Sequence, residues 1–387
     1  MAKPNRTHLA DLRGATRLAV DATVGITNLV EKMHHTIQLR HPPLGASRAD
    51  ATRGLTGLIY RTVRGTTQLI GRGLDASLAP VAALLPDGES SAARDAWVSA
   101  INGIYGDHLV HTRNPLAIEM SLRHRGQRVD RENPAAGLSD ATGRVLVFVH
   151  GLCLNEQHWS REEQAHAETL AAELGYTALY LRYNSGLSIA DNGRAFTDLL
   201  EARLRSWPVA VQELAIVGHS MGGLVARSAC HYGRLANHAW PQALRRLVFL
   251  GTPHHGAPLE RGGHRLDYVM ELSPYVAPFT SLGKARSAGI ADLRYGSITD
   301  NEQEFVQLPE GVDCYALVAT LGTRRSPLAD RLIGDGLVPL DSALGQHRDA
   351  LRTLAIPKTR QWISYEMGHL ELLSRPEVYA QLRRWLL

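Results

Sequence analysis

No stretch of about 18 uninterrupted apolar residues occurs in the 387-residue sequence. Nothing in it therefore reads as a membrane-crossing helix. Three cysteines, Cys153, Cys230 and Cys314, are too few for a disulfide framework and cannot all pair. Two of them fall in or beside predicted strand or helix interiors, which points to a reducing compartment. The N-terminal run MAKPNRTHLADLRGATRLAV scatters charges where a secretory signal needs a continuous apolar core, so a cytoplasmic location is expected. No His/Cys/Asp cluster has ligand spacing, so neither a metal nor another cofactor is expected. Nucleic acid is not expected as a partner, because the basic excess lacks interleaved aromatics or a reading motif. Internal repeats and low-complexity tracts are missing too, which excludes solenoids and arrays.

What remains is ordinary globular composition, with 44% hydrophobic and 21% charged residues. The length exceeds a usual single core and predicts one large domain with an extra segment, or two domains. The net charge of +4 is unevenly placed: residues 1–135 hold 17 Lys/Arg against 12 Asp/Glu, and the remainder 25 against 26. A solvated basic helix face accounts for this. Peripheral membrane contact through the N-terminal helices, by way of anionic headgroups, stays open as the alternative.

The chain is organised around ELAIVGHSMGGLVARSA, residues 213–229. Leu214 to Gly218 read as a buried parallel strand and Leu224 to Ala229 as a helix. Between them stands Gly218-His219-Ser220-Met221-Gly222, a G-x-S-x-G turn whose glycines sit where a Cβ would strike the strand or the helix. Such a turn lifts Ser220 Oγ to the carboxyl edge of the sheet, above a helix N-terminus whose free N–H groups favour developing negative charge.

Upstream, His8 to Ile37 carries Leu9, Leu12, Thr16, Ala19, Thr23, Ile26, Val30, Met33 and Ile37 in a heptad-type seam about 45 Å long. A second helix, about Asp50 to Leu85, places Leu55, Ile59, Val63, Thr66 and Ile70 on one face. The two stripes are expected to pack together as a hairpin. A third helix, Ala92 to Tyr105, either completes a small bundle or clasps the next domain. Residues 123–143 are polar and rich in glycine and turn formers, and read as an edge hairpin or a linker.

Short apolar runs then alternate with helices: Arg144–Val149, Thr177–Leu181, Leu214–Val217, Leu247–Leu250, Asp313–Ala319 and Trp362–Tyr365 as strands, with Glu162–Leu174, Ile189–Arg205, Met221–Leu235 and Pro376–Leu386 as helices. That pattern specifies an α/β fold with a doubly wound, mostly parallel sheet. The expected organisation is a helical arm or bundle over 1–135 and a sheet domain over 136–387, with a cap at about 257–311.

A serine hydroxyl needs a base within reach and a carboxylate to hold the base's tautomer. In a doubly wound sheet these come from later strand ends, acid first and histidine last. Asp335, in Gly334-Asp335-Gly336-Leu337-Val338-Pro339, is the expected acid, with Asp341 as runner-up. His369, immediately after the last strand, is the expected base. His219 adjoins the serine but is turned away by the sharp bend. His254 and His255 are candidates for lining the pocket. The backbone N–H groups of Leu152, in His150-Gly151-Leu152-Cys153 where Gly151 lets the backbone approach, and of Met221 are the expected oxyanion donors.

The segments VFVHGL, GHSMGG, GTPHHG, GDGLVP and MGHLELL together resemble bacterial lipases and esterases of the α/β-hydrolase superfamily, particularly the group similar to the GPI inositol deacylase (PGAP1-like). The resemblance covers about residues 140–387 and departs at the long helical arm. It implies Ser220 as nucleophile, Asp335 as acid, His369 as base, and Leu152 with Met221 as the oxyanion hole. The expected function is a serine hydrolase cleaving a hydrophobic or lipid acyl ester through an acyl-enzyme. An acyltransferase with the same triad, or a noncatalytic lipid-binding scaffold on the same fold, are the alternatives.

Overall fold

The computed structural model describes residues 6–39, 54–84, 91–129, 138–160, 166–257, 287–301, 303–323 and 334–387. The contacts divide the chain into two units, one of residues 1–91 with 109–117 and the other of residues 92–108 with 118–387. The boundary expected at 135 therefore falls too late. The edge strands of the sheet and most of the third helix already belong to the second unit.

That unit is an eight-stranded sheet: β1 (Ser121–His124), β2 (Gln127–Arg128), β3 (Arg144–Val149), β4 (Thr177–Arg182), β5 (Glu213–His219), β6 (Leu244–Leu250), β7 (Asp313–Thr320) and β8 (Gln361–Tyr365). Its spatial order is β2-β1-β4-β3-β5-β6-β7-β8. Strands β3 to β8 pair in parallel, while the β1–β2 hairpin adds an antiparallel edge against β4. The turn bearing Ser220 follows the central β5, in the arrangement of the α/β-hydrolase fold.

Alternate residues of the parallel strands feed two cores. Val145, Val147, Leu179, Ile216 and Phe249 face one side. Leu146, Phe148, Tyr180, Val217 and Leu250 face the other. Both faces are covered, which is why these runs read as continuously apolar. The first core is closed by α3 (Ala92–His111), α5 (Ile189–Arg205) and α6 (Met221–Leu235), through Ile104, Phe196, Leu200 and Leu224. The second is closed by α4 (His166–Glu173) and α8 (Pro376–Leu386), through Leu170, Leu382 and Leu386. The chain is thus doubly wound.

Of the two arrangements open to Ala92–Tyr105, the one with the sheet is adopted for residues 92–108. Ala100 and Ile101 there are fully buried, and Asp95 pairs with Arg182 at the end of β4 (2.7 Å). Tyr105 leaves helical geometry (φ −125°, ψ 17°). Residues 258–286 of the expected cap lie outside the described residues. Its remainder includes α7 (Ala288–Tyr295), capped by Ser287, whose hydroxyl donates to the Gly103 carbonyl (2.7 Å).

In the first unit α1 (Arg6–Leu39) and α2 (Gly54–Leu84) pair, but not through the expected stripes. Leu12 on α1 and Ile59, Val63 and Ile70 on α2 are exposed. Close approach is made by glycine and by charge. A Cβ on Gly71 would lie 2.6 Å from Val20 Cγ2, Asp75 accepts from Arg13 Nε and Arg17 Nε at 3.0 Å each, and Arg64 pairs with Glu31. Two guanidinium donors, Arg17 foremost, hold the Asp75 carboxyl below its ordinary range despite partial desolvation. Glycine permits an interhelix distance that facing leucines would forbid, so these faces win over the wider apolar ones. Among the described residues no helix is long and apolar enough to cross a membrane.

Candidate active site

Strand β5 delivers Ser220 into a backbone conformation that side chains rarely adopt, φ 54° and ψ −124°. Glycines make the bend fit. A Cβ on Gly218 would come within 2.6 Å of Gly223 Cα, and one on Gly222 within 2.3 Å of the Val149 carbonyl oxygen. The bend is pinned by Ser220 N–H donating to Leu250 O (2.8 Å) and by Gly223 N–H donating to Ser220 O (3.0 Å). Strain of this kind persists only where surrounding structure over-determines it.

His369 lies just after β8, at the start of a short 3-10 turn. Its Nδ1–H donates to Asp335 Oδ2 at 2.6 Å, and both side chains are buried. The other oxygen, Asp335 Oδ1, accepts from the N–H groups of Leu337 (3.0 Å) and Val338 (2.8 Å). The two loops are tied again by His369 N–H to Asp335 O (3.2 Å), and the aspartate loop is tied to the end of β7 by Leu321 N–H to Gly334 O (2.8 Å). With Nδ1 protonated and held, the Nε2 lone pair is left for proton transfer. Asp341, the runner-up, sits half-buried in the short helix Leu340–Ala343.

Ser220 and His369 line one pocket, together with Leu152, Leu154, Pro253 and Val338. No hydrogen bond joins Ser220 Oγ to His369 Nε2; such contacts often tighten only when substrate binds. The loop after β3 approaches closely, since a Cβ on Gly151 would lie 3.1 Å from Ser220 Cβ. Cys153 N–H is engaged by Ser185 Oγ (3.1 Å), whereas the N–H groups of Leu152 and Met221 have no acceptor among the described residues. Burial pushes the Cys153 thiol up to about 12, so it is no nucleophile at neutral pH. Among the described residues no group of His, Cys, Asp and Glu is placed to hold a metal ion.

A domain-family model described only as a domain of unknown function, DUF7379, matches residues 116–285. No curated protein matches the chain. Among solved structures, the mature lipase BlEst2 of Bacillus licheniformis is 19% identical with a TM-score of 0.42, over 62% of this chain and 91% of that one. A lipase-esterase related protein from Clostridium acetobutylicum is 12% identical with a TM-score of 0.38, over 70% and 100%. An α/β hydrolase superfamily protein from Enterococcus faecalis is 16% identical with a TM-score of 0.37, over 63% and 90%. At such identities and scores the likeness carries no argument about reaction or substrate.

His219 has more to do than its place in the turn suggested. Its ring stands 4.8 Å from that of His369 and its Nε2–H donates to the His369 carbonyl (3.3 Å). Burial first, then the neighbouring His369, holds it well below the ordinary histidine value, so it is neutral. His254 packs edge-on against Phe249 and His255 stacks on Phe305; neither lines the pocket. The supports of the glycine loop were missed. Tyr183 OH donates to His150 O (2.8 Å), Ser185 Oγ accepts from Cys153 N–H (3.1 Å), and Asn184 Nδ2 ties the same segment to α3 through Gly106 O (3.0 Å). The polar run Tyr183-Asn184-Ser185-Gly186 directly after β4, at the same sheet edge, was the available signal.

Proposed function

We propose that the protein is a serine hydrolase of carboxylic esters, with a hydrophobic acyl ester as substrate. The buried His369–Asp335 pair on a pocket wall shared with the strained Ser220 turn carries this reading. In it His369 Nε2 takes the Ser220 proton as Oγ attacks the ester carbonyl. Asp335 orients the imidazole and stabilises the imidazolium. The N–H groups of Leu152 and Met221 receive the oxyanion, the alcohol leaves with the proton returned by His369, and water releases the acid by the same steps reversed. The apolar lining by Leu152, Leu154, Pro253, Leu293, Leu337 and Val338 suits an acyl chain better than a polar acid.

A chain-length series of p-nitrophenyl esters tests this. Turnover is expected and is expected to vanish in Ser220→Ala. Activity that survives Ser220→Ala, or an inert wild type across all lengths, defeats the reading. Phospholipids and inositol-linked acyl esters then extend the series to the lipid substrates that the motif resemblance suggests.

A further inference from the structure

Ile59, Val63 and Ile70, expected to seal α2 against α1, point outward instead, and Leu58 and Leu69 lie open beside them. Leu58 (54% exposed), Ile59 (54%), Val63 (42%), Leu69 (73%) and Ile70 (58%) are all open. At 100° per residue they, with Thr62 and Thr66 between them, span an arc of about 140°. On one flank of that arc stand Arg61 and Arg72, both exposed, and neither makes an ion pair among the described residues. The only acid in the helix sequence, Asp75, is already held by Arg13 and Arg17. An outward apolar arc with an unanswered cationic flank is the pattern of a helix lying in a membrane interface.

We propose that this face of α2 docks on an anionic lipid surface, the side chains of Leu58, Ile59, Leu69 and Ile70 entering the headgroup boundary while Arg61 and Arg72 meet lipid phosphates. The proposal stands apart from the ester chemistry and does not need it. Charge selects lipid over a second copy of the chain. Antiparallel self-pairing of this face would bring Arg61 and Arg72 of both copies together, parallel self-pairing would set them against the opposite flank, and α2 offers no free acid on either side to answer them. Phosphate headgroups do.

Flotation of the full-length protein with vesicles of phosphatidylcholine alone, or of phosphatidylcholine with phosphatidylglycerol, tests this at low and high salt. Wild type is expected to float with the anionic vesicles and to be released by salt. Arg61→Gln/Arg72→Gln is expected to bind about thirty-fold more weakly, and Ile59→Ser/Leu69→Ser/Ile70→Ser not to bind. These side chains are exposed, so circular dichroism melts should match wild type and separate lost binding from lost fold. Equal flotation of wild type and both variants, or no flotation of wild type, overturns the proposal. So does a dimer seen by ultracentrifugation that the serine variant dissociates, without vesicle binding; that result would assign the face to a second copy.

Discussion

His369 Nδ1 and Asp335 Oδ2 lie 2.6 Å apart with both side chains buried, while the second carboxylate oxygen is satisfied by two backbone N–H groups. One oxygen holds the loop and the other holds the imidazole. Asp335→Asn keeps the first task and loses the second, because an amide can donate to Nδ1 and favour the wrong tautomer. Its kcat is expected to fall about 10⁴-fold with the fold intact, while Asp341→Asn changes it less than about two-fold. Steady-state kinetics beside a thermal melt checks both.

Ser220 has a backbone φ of 54°, a conformation costing about 1–3 kcal/mol for a residue with a Cβ. Ser220→Gly removes that Cβ together with the hydroxyl. The variant is expected to be about 1 kcal/mol more stable and inactive, a combination that a merely structural serine would not produce. Denaturant unfolding and an ester assay on the same preparation read the two effects.

The turn tolerates no side chain at Gly222, where a Cβ would meet the Val149 and His150 carbonyl oxygens at 2.3 and 2.5 Å. Gly222→Ala should cost about 2 kcal/mol or more, because the obstacle is strand backbone and cannot move aside. Gly65→Ala on α2, where nothing lies within 4 Å, should instead stabilise its helix by about 0.5–1 kcal/mol. Unfolding curves of the two variants should shift in opposite directions.

Arg182 joins α3 to the sheet edge by pairing with Asp95 (2.7 Å) and Glu156 (2.6 Å), all three side chains largely buried. Arg182→Met should cost about 3 kcal/mol, since it takes the nearest cation from two buried carboxylates and leaves them Arg94 and Arg123 at 3.5 Å. Adding Asp95→Asn and Glu156→Gln should recover part of that loss. Urea unfolding of the single, double and triple variants measures it.

Burial holds His150 down to about 4 from an ordinary value of 6.5. Between these values the unfolded chain binds the proton and the folded chain does not, so stability falls as pH drops through that window. The loss is on the order of 3 kcal/mol. His255, also held at about 4 chiefly by burial, acts in the same direction. Unfolding free energies measured across this range should fall toward acid, and His150→Gln should flatten the slope.

The parallel core was legible because burial on both faces leaves an unmistakable trace. Arg144–Val149 was bounded correctly as a strand, and Ile189–Arg205 and Met221–Leu235 as helices. Ser220 and Asp335 could be proposed because tight turns at strand ends demand glycine around the residue they present, and His369 because it directly follows the last strand. The β1–β2 edge was only half legible, since strands of four and two residues carry too little pattern. Tyr183 and Ser185 left only a faint signal, a polar run directly after β4, because hydrogen bonds to distant backbone groups leave no periodicity. The arm misled for a different reason. Periodicity counts apolar residues, but Gly71 against Val20 and Asp75 against Arg13 and Arg17 decide which faces meet.

Labelling with a fluorophosphonate, followed by peptide mass spectrometry, tests the central claim most directly. A single adduct on Ser220 is expected, forming quickly in wild type, far more slowly in His369→Asn, and not at all in Ser220→Ala. An unlabelled Ser220, or labelling whose rate is the same without the His369 imidazole, would contradict the account.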